Sequence, residues 1–171
     1  MDIIREIQIA QIDMNKAFEQ LIQKVQQYEK EEGSKVHIID KRAKDYESIY
    51  KLTSGTAIFK GKKPTGVFLK QGVRSEAGTW KKVFELILKD CVSDSAKYVD
   101  LRNLCGKIRG RERLILSDVP GNMRSPLKIA EGLFIESHYD TGSLLYILTN
   151  RILDPIGYDY TNIEIAIRNN L

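Results

Sequence analysis

Apolar residues recur every three or four positions through the first thirty residues. With Ile4 at position a of a heptad, the a positions are Ile4, Gln11, Phe18 and Val25, and the d positions are Ile7, Met14, Leu21 and Tyr28. Four heptads of this spacing predict a self-associating coiled-coil helix. Gln11 is the one polar residue in the seam, where a buried polar group fixes register or oligomer number at some cost in stability. Ile3, Ile12 and Ile22 widen the stripe, so an amphipathic helix packed on its own domain is the alternative. Gly33 supplies the left-handed residue that ends the helix after Glu32.

Beyond Gly33 the periods change repeatedly. Residues 35–39 form a short apolar run with strand character. Asp40 is placed to cap a helix through Leu52, with Tyr46, Ile49, Tyr50 and Leu52 inward, broken by Thr53-Ser54-Gly55. Thr56–Lys60 and Gly66–Lys70 are expected as two strands joined by a turn-rich link. Thr79 then opens the clearest helix. Trp80, Val83, Phe84, Ile87, Leu88 and Cys91 fall on one continuous face, which predicts a largely buried Trp80 with its indole N–H paired. A second helix spans Ala96–Leu104 and stops at Gly106, and Leu114–Leu116 follows as a strand. Leu127–Ala130 and Leu133–Ser137 pair around Glu131-Gly132. Asp140 or Thr141 caps a helix carrying Leu144, Leu145, Leu148 and Ile152, closed by Pro155 and Gly157. Ile163, Ile165 and Ile167 alternate as a half-buried strand.

The predicted organisation is an oligomerisation helix over 1–33, a linker strand and helix over 34–55, and an α+β domain over 56–171. That domain consists of short antiparallel strands with three to four helices. No period of 20–50 residues recurs, which excludes a repeat protein.

Composition adds little to this picture and removes much. A chain of 171 residues buries roughly 70% of its unfolded surface, enough for a core without disulfides or metals. Hydrophobic residues make up 42% and charged residues 29%, as in ordinary globular proteins, and no run is long enough to span a membrane. The charged start, Met1-Asp2-Ile3-Ile4-Arg5-Glu6, is unlike an export signal, so a cytoplasmic location with reduced thiols is expected. The net charge of +4 is mild for a nucleic-acid coat, so local basic segments carry more information than the total.

Most catalytic signatures are missing. His37, His138, Cys91 and Cys105 form no ligand pair at metal-binding spacing, and both cysteines are expected to be structural. Gly61–Gly66 lacks the Gly-Lys-Ser/Thr ending of a phosphate loop, and neither a dinucleotide fingerprint nor a nucleophile elbow is present. Asp118, Glu136 and His138, near short strands, are the residues a metal-dependent nuclease would use, but no lysine accompanies them. No cofactor or resident metal is expected.

The segment from Arg102 to Lys128 stands apart. Arg102, Lys107, Arg109, Arg111, Arg113, Arg124 and Lys128 are set against only Glu112 and Asp118. In extended conformation Arg109, Arg111 and Arg113 would project from one face, with Gly106 and Gly110 leaving room for a phosphate. Ser117 and Ser125 add hydroxyls, and His138 and Tyr139 follow the last strand of the segment. Guanidinium forks match phosphate oxygens bidentately. A solvated basic edge strand is the plainer alternative.

The order Lys63-Pro64-Thr65-Gly66-Val67-Phe68, Thr79-Trp80-Lys81-Lys82-Val83, Gly110-Arg111-Glu112-Arg113, Ser117, Arg124-Ser125-Pro126, Ile129, Leu133–Ser137 and Gly157-Tyr158 resembles a small accessory domain. That domain occurs in bacterial and phage proteins, often attached to defence or restriction systems, and the resemblance covers about residues 56–167. It implies that the arginine-rich segment, Arg124 and the Glu136–Tyr139 strand end do the work.

Together these readings lead to a non-enzymatic, oligomeric protein that binds an anionic, phosphate-bearing ligand. One form would be a phage counter-defence protein sequestering a nucleotide immune signal, with Tyr139 or Phe134 stacked on the base. The alternatives are a nucleic-acid-binding accessory protein, with the arginines tracking a backbone, and a protein–protein inhibitor.

Overall fold

The computed structural model describes Gln20, Lys44 and residues 46–169. The heptad positions from Ile4 to Tyr28, the strand expected over 35–39 and the start of the helix expected from Asp40 lie outside the described residues. What is described is mixed α and β, with antiparallel sheets and four helices among those residues.

The first sheet is built from distant parts of the chain. β1 (Glu47–Lys51), β2 (Pro64–Phe68), β3 (Arg74–Glu76) and β7 (Glu164–Arg168) are arranged in the order β1-β7-β2-β3. β1 runs antiparallel to β7 from Glu47 opposite Arg168 to Lys51 opposite Glu164, then ends in a 3-10 turn over Leu52–Ser54. A strand therefore replaces the C-terminal part of the helix expected over Asp40–Leu52, and residues 47–51 of the segment expected as a linker belong to the sheet. So short a window satisfies either period, and the partner strand decides. β7 lies between β1 and β2, and Ile165, Ala166 and Ile167 are all buried rather than alternating, so both faces of the strand are covered.

β1 and β3 are the two edges of this sheet, yet Arg74 spans it. Its Nη1 and Nη2 donate to Glu47 at 2.8 and 2.9 Å, and its Nε donates to Glu76 at 3.0 Å. The guanidinium passes over Gly66 of β2, where a Cβ would stand 3.0 Å from Nε. Hydrogen bonds from Arg74 hold the enclosed Glu47 carboxyl down at about 2, against the upward push of burial.

The strand expected over Thr56–Lys60 is instead a single helical turn, α1 (Thr56–Phe59), entered through Gly55 at φ 94°. The turn carries Phe59 into the core, edge-on to Trp80 at 5.4 Å and Tyr50 at 6.5 Å. α2 (Trp80–Ser93) follows the predicted face, with Val83, Phe84, Ile87, Leu88 and Cys91 buried. Thr79 accepts from the Lys82 backbone N–H at its start. Trp80 is partly buried against this core, and its indole N–H donates to the Lys62 carbonyl at 2.8 Å, as expected. Asp94 ends α2 and caps α3 (Ser95–Leu104).

The second sheet has the order β4-β6-β5, from β4 (Leu116–Ser117), β5 (Pro126–Ala130) and β6 (Leu133–Glu136). The β5–β6 hairpin turns at Gly132, φ 59°, as expected. β4 begins at Leu116, so most of the strand expected over Leu114–Leu116 belongs instead to the hairpin described below. α4 (Thr141–Tyr146), capped by Asp140, widens into a π-helix over Ile147–Leu153. Leu144, Leu145, Leu148 and Ile152 join one core with Phe84, Leu133, Ile135 and Ile165.

Candidate functional site

The arginine-rich segment is a hairpin. The Ile115 N–H donates to the Ile108 carbonyl at 2.9 Å, Arg109 bridges Leu114, and the Gly110 N–H donates to the Arg113 carbonyl at 2.8 Å. Ile108 and Ile115 anchor its base in the core, while Arg111 and Glu112 form the tip. The single extended face expected for Arg109, Arg111 and Arg113 is therefore not formed. Their exposed side chains are distributed around a turn, because the chain reverses after Gly110.

The end of β6 supplies the opposing wall. Glu136 is only 2% exposed. Its carboxylate accepts the backbone N–H groups of Arg124, Ser125 and His138, tying the β4–β5 loop to the strand end. Burial pushes this carboxyl up, but the N–H donors of His138, Arg124 and Ser125, with the charge of Arg113, hold it below its ordinary value. The Glu136 N–H also donates to the Ile115 carbonyl at 2.8 Å, so hairpin and strand are fastened directly. Ser137 extends the network by donating to the Ser125 carbonyl at 2.8 Å.

Between hairpin tip and strand end lies a cleft of about 240 Å³, lined by Arg111, Glu112, Arg113, Glu136, His138 and Tyr139. A second concavity of about 350 Å³ adjoins it along Glu112 and Arg113 and includes Arg109 and Asn122. A third, of about 390 Å³, shares Tyr139 and extends over Ile115, Tyr146, Ile147 and Arg151. Burial and the Glu136 charge push the Tyr139 hydroxyl up, which keeps it protonated and able to donate at neutral pH.

Four of the expected ligand residues thus meet: Arg111, Arg113, His138 and Tyr139. Arg109 lies in the adjoining concavity, and its carbonyl accepts from Arg151 Nη1 at 3.1 Å. Arg124 contributes its backbone N–H, and its exposed side chain lines none of the three clefts. Ser117 is buried, and its hydroxyl accepts from the Val119 N–H. Ser125 is held by Lys81 and Ser137. Lys128 points elsewhere, paired with Glu131 at 2.6 Å. Among the described residues, Arg109, Arg111, Arg113 and Arg124 make no ion pair.

Of the three residues considered for a nuclease, Glu136 and His138 line the same cleft and Asp118 lines none of the three clefts, while the Glu136 carboxylate accepts backbone N–H groups. Among the described residues no group of three His, Cys, Asp or Glu is placed to hold a metal ion. Burial pushes the Cys91 thiol up to about 12 and raises that of Cys105, so neither is an activated nucleophile. Tyr146, Arg151 and Asn122 were not anticipated. Tyr146 sits between the core residues Leu145 and Ile147, where helical spacing turns it outward, but only the fold sets it beside Tyr139. Comparison with known protein families, with curated proteins and with solved structures returns no match for this chain.

Proposed function

We propose that this protein binds a small, phosphate-bearing anion between the hairpin tip and the end of β6, holding it without chemical turnover. One observation carries the reading. Among the described residues Arg111 and Arg113 make no ion pair, though they share their cleft with the carboxylates of Glu112 and Glu136, and that of Glu136 already accepts three backbone N–H groups. Unpaired guanidinium groups beside a neutral hydroxyl donor suit phosphate oxygens, and the rigid wall behind them limits the ordering cost of binding.

Concavity favours a small ligand over a duplex. A duplex needs a basic stripe several phosphates long, whereas these arginines surround a single turn. In the defence setting implied by the sequence resemblance, such a site would keep a phosphorylated signal out of circulation. The N-terminal heptads would make the holder oligomeric.

Calorimetric titration with pyrophosphate tests the proposal. Arg111→Ala and Arg113→Ala should each weaken binding about tenfold to a hundredfold with little change in melting temperature. Lys128→Ala should bind like wild type. Unchanged affinity in both arginine variants would refute the assignment.

A further inference from the structure

We infer that the ligand is a nucleotide, with its phosphate at Arg111 and Arg113 and its base laid in the apolar cleft beyond Tyr139, against Tyr146. This rests on the phosphate reading above and adds the other half of the ligand. Tyr139 is the shared wall, lining both the arginine cleft and the cleft of about 390 Å³ beside it. The chemistry changes across that wall. One side presents Arg111, Arg113 and His138 together with Glu112 and the backbone-bonded Glu136. The other presents Ile115, Ile147 and the ring of Tyr146, with one cation, Arg151.

Tyr146 is 54% exposed, one of the few large apolar side chains at the described surface. Neither it nor Tyr139 makes a ring contact with another described aromatic residue. The rest of its helix is anchored by Leu144, Leu145 and Ile147, so the ring is presented on a rigid element. A flat, sequence-tolerant stacking surface of this kind accepts any nucleobase, and bases bind proteins largely through such rings.

Arg151 completes the cleft. One of its guanidinium nitrogens donates to the Arg109 carbonyl at 3.1 Å, which fixes the group beside the cavity. Its remaining N–H donors and planar face stay available for the edge or face of a base. Inorganic phosphate or a sugar phosphate would use the first cleft and leave this one empty. A ligand that is anionic at one end and flat and aromatic at the other fills both.

The test compares adenosine and guanosine diphosphates with pyrophosphate and ribose 5-phosphate by calorimetry, on wild type, Tyr146→Ala, Tyr146→Phe and Arg113→Ala. At least one nucleotide should bind tenfold or more tightly than ribose 5-phosphate. Tyr146→Ala should abolish that advantage while leaving pyrophosphate affinity unchanged, and Tyr146→Phe should retain it. Arg113→Ala should weaken nucleotide and pyrophosphate alike. If nucleotides bind no better than ribose 5-phosphate, or Tyr146→Ala leaves their affinity intact while Arg113→Ala lowers it, the base site is wrong and the phosphate reading survives. If no phosphate compound binds wild type, both fall.

Discussion

The Tyr139 hydroxyl lies over Gly110, 2.8 Å from where a Cβ on that residue would stand. The contact couples the hairpin that carries the arginines to the strand end that carries His138 and Tyr139. A glycine at this point is required by the closeness of the tyrosine, since its backbone has no positive φ.

Gly110→Ala should therefore displace Tyr139 rather than strain the backbone. We expect a small stability loss, under about 1 kcal/mol, because the clashing atom ends a side chain that can shift. Affinity for a phosphate ligand should fall by several-fold. Tyr139→Phe removes the clashing oxygen, so Gly110→Ala should cost less affinity in that background. A double-mutant cycle on Kd measures the coupling, and strictly additive effects would show that the contact does not shape the site.

The pair spanning the first sheet sets an acid limit. Glu47 is held at about 2, below the ordinary 4.5 of the unfolded chain, so the unfolded state takes up the proton first as pH falls. The contribution, about 3 kcal/mol, is complete above about pH 5 and should be lost progressively as pH falls toward 2. Urea unfolding of wild type and Glu47→Gln at pH 7, 4 and 3 should show a gap between them that narrows with acidity. A gap independent of pH would mean that the ionised pair contributes nothing.

Assembly is predicted from the heptads. Removing residues 1–33 should leave a folded monomer, and Gln11→Ile in the full chain should raise thermal stability. Light scattering and circular dichroism report both. A truncated chain that remains oligomeric would place the self-association elsewhere.

Elements that announce both their period and their ends were readable from sequence. α2 shows a cap at Thr79 and a stripe from Trp80 to Cys91, and the β5–β6 hairpin shows two apolar runs around Gly132. Glu47–Lys51 and Thr56–Phe59 depart from the sequence expectation because four or five residues hold too little pattern to separate strand from helix. There a distant partner, β7 for the first and the pocket beside Trp80 for the second, makes the choice.

The candidate site is half readable for the same reason. The density of arginine marked the segment, but the alternation of Arg109, Arg111 and Arg113 suggested an extended face where Gly110 and Glu112 belong to a turn. The residue type of Glu136 says nothing of its task, and its three backbone donors, which tie the β4–β5 loop to the strand end, have no signature in the sequence. Tyr146 and Arg151 reach the cleft through a helix that widens to π geometry, a feature with no sequence signal of its own.

Salt dependence separates a compact phosphate site from a backbone-tracking stripe. Affinity for a nucleoside diphosphate and for a duplex of twenty or so base pairs should be measured between 50 and 200 mM salt. A pocket holding two phosphates should bind the nucleotide with a loss of about tenfold or less over that range, and should bind the duplex weakly. Tight duplex binding that falls about a thousandfold, with no nucleotide bound at either salt concentration, would contradict the compact site.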